Sequence, residues 1–278
     1  MDYLDLLYDD LLSQGIAHPD WMLGAMAGAL TAFFVQLYYW LGRYGGLPRF
    51  RNNRGIRPQI PSPPVSVVVV IRENGYYFIE NYLPLLLGQR YDEFEVVAVD
   101  CSYDEEIGEL LHEKSLACSR LHVTAIKQQR SAGHGTKLAL TVGIKACAYE
   151  HIVFTTTDCY PSSDKWLSLM AKGVINGDIV IGDCGIEPGK GLANRLMRCS
   201  RLAGSVRWLS AATRSRAYRG IAGNIGYTKS LYFESRGFNY LNMEIGDDDL
   251  FIQKIATSDN VSVVMNPAAT MRQVPFGG

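Results

Sequence analysis

Apolar residues fall along the chain in two contrasting patterns. From Trp21 to Gly42 (WMLGAMAGALTAFFVQLYYWLG) no position is charged. A run of that length, rising about 1.5 Å per residue, crosses a hydrocarbon core of about 30 Å, so the pattern predicts one transmembrane helix over 21–42. Trp21 lies at one end and Tyr38, Tyr39 and Trp40 at the other, where amphipathic rings prefer the headgroup level. Beyond residue 64 the pattern changes to short β-branched runs. VSVVVVI (65–71) and FEVVAVD (94–100) are apolar at nearly every position, as strands covered on both faces require. Further strands are predicted at 121–126, 151–155 and 178–181. Helices are predicted at 77–87, 105–117, 137–149 and 163–174. This βαβαβ alternation predicts an α/β domain over 65–278 with a mainly parallel, doubly wound sheet.

Charge adds direction to this picture. With 27 Lys and Arg against 28 Asp and Glu, the chain is no bulk nucleic-acid binder, and 47% apolar content excludes disorder. Residues 1–20 carry Asp2, Asp5, Asp9, Asp10 and Asp20 and no Lys or Arg, whereas Arg43, Arg49, Arg51, Arg54 and Arg57 follow the apolar run. Positive residues stay on the cytoplasmic side. The expectation is therefore a single-pass protein of the inner (plasma) membrane, with segment 1–20 outside and the α/β domain in the cytoplasm. An acidic leader is also the reverse of a cleaved signal peptide. Residues 43–64, rich in Gly, Pro and Arg, read as a linker lying against an anionic leaflet. The six cysteines form no C-x-x-C pair and read as reduced thiols.

Between Pro188 and Phe233 no residue is acidic, while Lys190, Arg195, Arg198, Arg201, Arg207, Arg214, Arg216, Arg219 and Lys229 alternate with Leu192, Leu196, Leu202 and Trp208. This segment reads as a basic amphipathic helix resting on the inner leaflet, or else as a solvated basic face or a diphosphate-binding patch.

Ligands of doubly wound sheets bind beyond the carboxyl ends of the strands. Those ends carry Arg72, Glu73 and Asn74, then Asp100, then Thr156, Thr157 and Asp158. A carboxylate at position 100 can accept a hydrogen bond from a uracil or guanine ring N–H, or cap the next helix, as Asp104 could equally do. Asp247, Asp248 and Asp249 precede an apolar helix start at Leu250 and exceed what capping needs. No G-x-G-x-x-G follows the first strand and no P-loop occurs, which disfavours dinucleotide and NTPase folds.

Four segments occur together: VSVVVVIREN (65–74), VVAVDCSYD (96–104), GHGTKLALTVGIKA (133–146) with FTTTDCYPSSDKW (154–166), and EIGDDDLF (244–251). In that order they resemble the bacterial membrane-anchored family-2 glycosyltransferases, whose GT-A fold is Rossmann-like. The resemblance implies that Asp100 contacts the nucleobase, that Arg72, Glu73 and Asn74 help line the nucleoside pocket, and that Lys137 approaches the ribose or diphosphate. It implies that Asp158 holds Mg²⁺ or Mn²⁺, with Thr156 in place of the first Asp of the family's D-x-D. Asp247 takes the general-base position, with Asp248 and Asp249 on the acceptor side. The reaction implied is inverting transfer from a nucleotide diphosphate sugar, UDP favoured, to a glycan or lipid-linked acceptor at the membrane. The family's Asn-Glu order is reversed at Glu73-Asn74, its Asn is Thr141, its Glu is Gly246, and its Gln- or Arg-x-x-Arg-Trp motif is absent. These departures favour single transfers over polymer synthesis. They also support an alternative, a membrane-tethered nucleotide-sugar binder without turnover. A nucleotidyltransferase would need a Gly-rich basic loop after the first strand, which is missing.

Overall fold

The computed structural model describes residues 6, 9–10, 12–13, 19–45, 62–102, 104–126, 135–238 and 247–275, which fall into two units divided after Phe50. In the first unit, helix α1 (Pro19–Leu37) runs on into a π-helical turn, Tyr38–Tyr44. Trp21–Gly42 is long and apolar enough to cross a membrane, and none of it is buried in the protein. Phe33, Phe34 and Leu41 are each at least 60% exposed. Most of segments 1–20 and 43–64 lies outside the described residues.

In the second unit the β-branched runs form strands β1 (Val65–Ile71) and β2 (Phe94–Asp100), joined by a helical segment, α2, over 75–87. Helix α3 (Glu105–Ala117), strand β3 (Leu121–Ala125), helix α4 (Gly135–Ala146) and strand β4 (His151–Thr156) follow. Strands β1 and β2 are buried almost throughout, because helices cover both faces of the sheet. Burial extends to Glu95, whose carboxylate accepts hydrogen bonds from Ser66 Oγ (2.5 Å) and Ala148 N (2.6 Å). That pairing offsets the desolvation of a buried charge.

The chain then adds β5 (Cys159–Pro161), α5 (Trp166–Ile175), β6 (Ile179–Gly182), β7 (Cys184–Ile186) and α6 (Leu192–Ala212). It closes with β8 (Ile225–Thr228), α7 (Lys229–Glu234), α8 (Asp247–Ile255), β9 (Val261–Val264) and β10 (Met271–Gln273). The large sheet has the order β3-β2-β1-β4-β8-β6-β9, and a small sheet has the order β5-β10-β7. Every neighbouring pair in the large sheet is parallel except those of β8, which runs antiparallel to both β4 and β6.

One strand went unforeseen and one expectation needs correction. The sheet is mainly parallel, but β8 was not foreseen, because NIGYT lacks the contiguous β-branched run that announced the other central strands. The basic segment 188–233 is not one helix. α6 ends at Ala212, Arg214–Arg219 continues as turn and coil, and β8 sits in the middle of the sheet. Arg201 turns onto Gln273, and Trp208 is only 5% exposed, so neither belongs to an outward-facing surface.

The segment joining β6 to the small sheet is fixed by Asn224, which is fully buried. Its Oδ1 accepts from Trp166 Nε1 (2.9 Å), and its Nδ2 donates to Asp183 O (2.7 Å) and Ala269 O (2.9 Å). One amide thus ties helix α5, the exit of β6 and the turn before β10 together.

Candidate functional site

Parallel pairing of β1 with β2 and β4 sets Ile71 opposite Asp100 and Val70 opposite Thr156. The three strands therefore end at one rim, where the sequence places its candidate residues. Asp100 is 8% exposed, and its Oδ1 accepts from Ser102 N (2.9 Å) and Ser102 Oγ (2.7 Å). Asp104, not Asp100, caps α3, accepting from Glu106 N at 3.0 Å. Asp100 instead holds the turn that leads into α3, through Ser102. Arg72, Glu73 and Asn74 are exposed immediately beyond β1, with Asn74 in the left-handed region at φ 57°. Cys101, beside Arg72 and Asp100, has its thiol pushed up to about 11 by burial. Lys137 is half-buried in the first turn of α4, and its carbonyl accepts from Thr141 Oγ1.

Asp158 lies in the turn between β4 and β5, and both of its carboxylate oxygens are engaged. Oδ1 accepts from Thr156 Oγ1 at 2.5 Å, and Oδ2 from Gln273 Nε2 at 2.5 Å. Gln273 is held in turn by Arg201, whose Nη2 donates to Oε1 at 2.6 Å. The Asp158 carbonyl accepts from Val274 N at 2.9 Å, and Gln273 stands opposite Cys159 in the small sheet. Asp158 is therefore fixed in backbone and side chain by a strand that arrives more than a hundred residues later.

Asp158 and Thr156 line a cavity of about 1000 Å³ together with Arg201, Arg207, Trp208, Arg219, Asp249 and Gln273. Asp249 is brought there by α8. Its Oδ2 lies 3.4 Å from Arg219 Nε, and the Arg219 guanidinium sits 5.2 Å from the centre of the Trp208 ring. Burial pushes the Asp249 carboxyl above its ordinary value, and the Arg219 cation opposes that shift. The cavity walls thus carry three guanidiniums from α6 and the coil after it, facing carboxylates from two distant parts of the chain.

Of the residues read from sequence, Thr156, Asp158 and Asp249 share this cavity. Arg72, Glu73, Asn74, Asp100 and Lys137 are not among its described lining residues; the first four gather at the neighbouring ends of β1 and β2. The side chains of Asp247 and Asp248 lie outside the described residues, although their backbone begins α8. Sequence reasoning missed Gln273 as a site residue, and it left Arg201, Arg207 and Arg219 between a membrane-facing helix, a solvated face and a diphosphate-binding patch. No local pattern marks a glutamine as a partner of residues so far away.

No group of three or more His, Cys, Asp or Glu side chains able to hold a metal occurs among the described residues. The oxygens of Asp158 and Thr156 are nonetheless hard donors of the kind that Mg²⁺ and Mn²⁺ prefer.

No protein-family profile matches the sequence, and no curated protein does. The fold is nevertheless one used by glycosyltransferases, as similar solved structures show. One of these is the mannosyltransferase PcManGT from Pyrobaculum calidifontis, solved with GDP-Man and Mn²⁺. It is 21% identical over 91% of this chain and 69% of its own, with a TM-score of 0.67. Another is S. aureus TarS 1-349 with UDP-GlcNAc, 21% identical over 77% of this chain and 59% of its own, with a TM-score of 0.57. The chain thus spans about three fifths of that TarS fragment.

Proposed function

We propose that this protein transfers a sugar from a nucleotide diphosphate donor to an acceptor presented at the membrane, with inversion at the anomeric carbon. The observation that carries the reading is that Asp158, at the end of β4, and Asp249, in the first turn of α8, face one cavity. Its volume of about 1000 Å³ admits a nucleotide sugar. The fold is shared with structures solved with GDP-Man and with UDP-GlcNAc, and UDP is our favoured donor nucleotide.

In this reading Asp100 and the exposed residues Arg72, Glu73 and Asn74 receive the nucleoside, and Lys137 approaches the diphosphate. Asp158, with the Thr156 hydroxyl beside it, would hold Mg²⁺ or Mn²⁺ shared with the donor phosphates. One or two protein carboxylates suffice for such an ion, because phosphate and water complete its shell. When bound, the cation supplies charge neutralisation for the departing diphosphate. The cavity arginines add positive charge where the same negative charge develops. Asp247, with the base position implied by the family pattern, removes the proton from the acceptor hydroxyl as its oxygen attacks the anomeric carbon and the bond to the diphosphate breaks. Asp248 and Asp249 stand on the acceptor side. Helix 21–42 anchors the domain in the inner membrane, with the N-terminus outside.

The test uses the full chain in detergent or nanodiscs with UDP- and GDP-sugars and Mn²⁺, measuring nucleoside diphosphate release. Asp247→Asn should abolish release while leaving UDP binding intact, and Asp158→Asn should remove the metal dependence of binding. Release of pyrophosphate, or UDP binding without turnover in any lipid extract, would overturn the assignment.

A further inference from the structure

The guanidiniums that line the cavity are not equally committed. Arg201 is held by a short bond, its Nη2 donating to Gln273 Oε1 at 2.6 Å. Arg219 is held loosely. Its Nε stands 3.4 Å from Asp249 Oδ2, beyond the roughly 2.7–2.9 Å of a charge-assisted hydrogen bond, and its side chain is half exposed. Water and salt therefore weaken the attraction. The Trp208 ring, 5.2 Å away, attracts the same cation without accepting a directed hydrogen bond.

Asp249 does not depend on Arg219 alone. The Gly220 main-chain N–H also hydrogen-bonds its carboxylate. The coil carrying Arg219 is fastened to α8 a second time, where Gln253 Nε2 donates to Tyr218 O at 3.1 Å. Arg219 can thus leave Asp249 without stranding the carboxylate or undocking the helix.

A stronger partner for that guanidinium belongs to the same cavity. Phosphate oxygens accept two parallel bonds from one guanidinium, which a carboxylate at 3.4 Å does not match. Asp158, proposed above to hold the metal of a nucleotide diphosphate, and Arg219 both line this cavity. Resting on that donor reading, we infer that Arg219 exchanges the Asp249 carboxylate for the diphosphate of a bound donor, which couples donor binding to the first turn of α8. Asp249 then opposes donor binding in two ways: it holds the cation back, and once released it repels the arriving anion. The first effect requires Arg219 and the second does not.

Isothermal titration of the full chain in nonionic detergent with UDP and Mn²⁺, at mildly alkaline pH so that Asp249 is ionised, separates them. Arg219→Gln should weaken UDP binding about tenfold, as the loss of a charge-assisted bond predicts, and Arg219→Lys should recover part of that loss. Asp249→Asn should tighten binding about two- to fivefold, the range of a partly exposed ion pair, and should tighten it less when Arg219→Gln is already present. Arg216→Gln alters an exposed cation that is not among the described lining residues, and should leave UDP affinity unchanged. A fixed Arg219–Asp249 pair, or repulsion alone, predicts the opposite sign of coupling, with Asp249→Asn gaining as much or more in the Arg219→Gln background. That result would overturn the exchange, as would equal losses in Arg219→Gln and Arg219→Lys or an Arg219→Gln affinity equal to that of the wild type. Wild-type protein that binds no UDP would sink the donor reading and the exchange together, whereas tight UDP binding with the wrong sign of coupling would sink the exchange alone.

Discussion

Replacing Gln273 with alanine separates what holds Asp158 in place from what Asp158 does. The glutamine amide donates to Asp158 Oδ2 at 2.5 Å, and its carbonyl accepts from Arg201 Nη2 at 2.6 Å, so one truncation removes two hydrogen bonds to charged partners. Fully buried bonds of that kind contribute about 1.5–3 kcal/mol each. All three side chains here are partly exposed, and water takes over part of each lost bond, so a total of about 1–2 kcal/mol is expected. For a domain of this size that lowers the Tm by about 2–8 °C. The main-chain bond from Val274 N to Asp158 O survives, so the turn itself should persist. On the proposed reading, in which Asp158 holds the metal, the larger effect falls on metal affinity, because partners that orient a ligating carboxylate are typically worth about 10–100-fold. Gln273→Glu is the sharper companion variant. It can still accept from Arg201, but it sets a second carboxylate against Asp158, so the metal-free protein should be less stable and Mn²⁺ should stabilise it more than it does the wild type. Thermal unfolding and UDP binding, each titrated with Mn²⁺, read both effects. A Gln273→Ala titration curve that superimposes on that of the wild type would refute the idea that Gln273 positions a metal-binding carboxylate.

Three further outcomes are expected. Asp249 has a folded-state pKa raised by burial, so the folded chain holds this proton more tightly than the unfolded one. Its contribution to stability is full below the unfolded carboxylate pKa and is lost as pH rises through the folded value. Asp249→Asn should therefore flatten the fall in stability with rising pH across the weakly acidic range, and an unchanged slope in denaturant titrations would contradict this. Asn224→Ala removes the partner of Trp166 Nε1 and of the Ala269 carbonyl in a fully buried site, while Asp183 O keeps its bond from Met271 N, and should cost about 2–4 kcal/mol by chemical denaturation. A Cβ at Gly223 would stand 2.8 Å from Cys159 Sγ and 3.3 Å from Cys184 Sγ, so Gly223→Ala should press on the turn carrying Asp158 and weaken metal-dependent nucleotide binding. Adding Cys159→Ala should restore part of the loss, and strictly additive defects would locate the strain elsewhere.

The elements legible in the sequence were those whose burial is written into consecutive residues. VSVVVVI and FEVVAVD can only be strands covered on both sides, and the uncharged stretch from Trp21 to Gly42 can only be accommodated as an apolar helix. The three-residue strands β5, β7 and β10 are too short for any periodicity to show. Strand β8 was hidden because IGYT is half glycine and polar, and its neighbours β4 and β6 supply the packing that its own side chains do not advertise. The basic stretch after Pro188 could be read only as a set of alternatives for a related reason. Charge composition describes solvation in the extended chain, and it does not reveal which guanidinium folds inward onto an amide.

The sequence by itself determined the α/β class, the long apolar helix and the acids that merit attention, because each rests on local pattern or on motif order. The tertiary structure decided which of those acids meet. Asp158 is held by Gln273, 115 residues later, and shares its cavity with Asp249, which α8 carries to the same rim. Such meetings depend on strand register and on the antiparallel insertion of β8, which arise from packing summed over the whole sheet, and no stretch of residues encodes them alone.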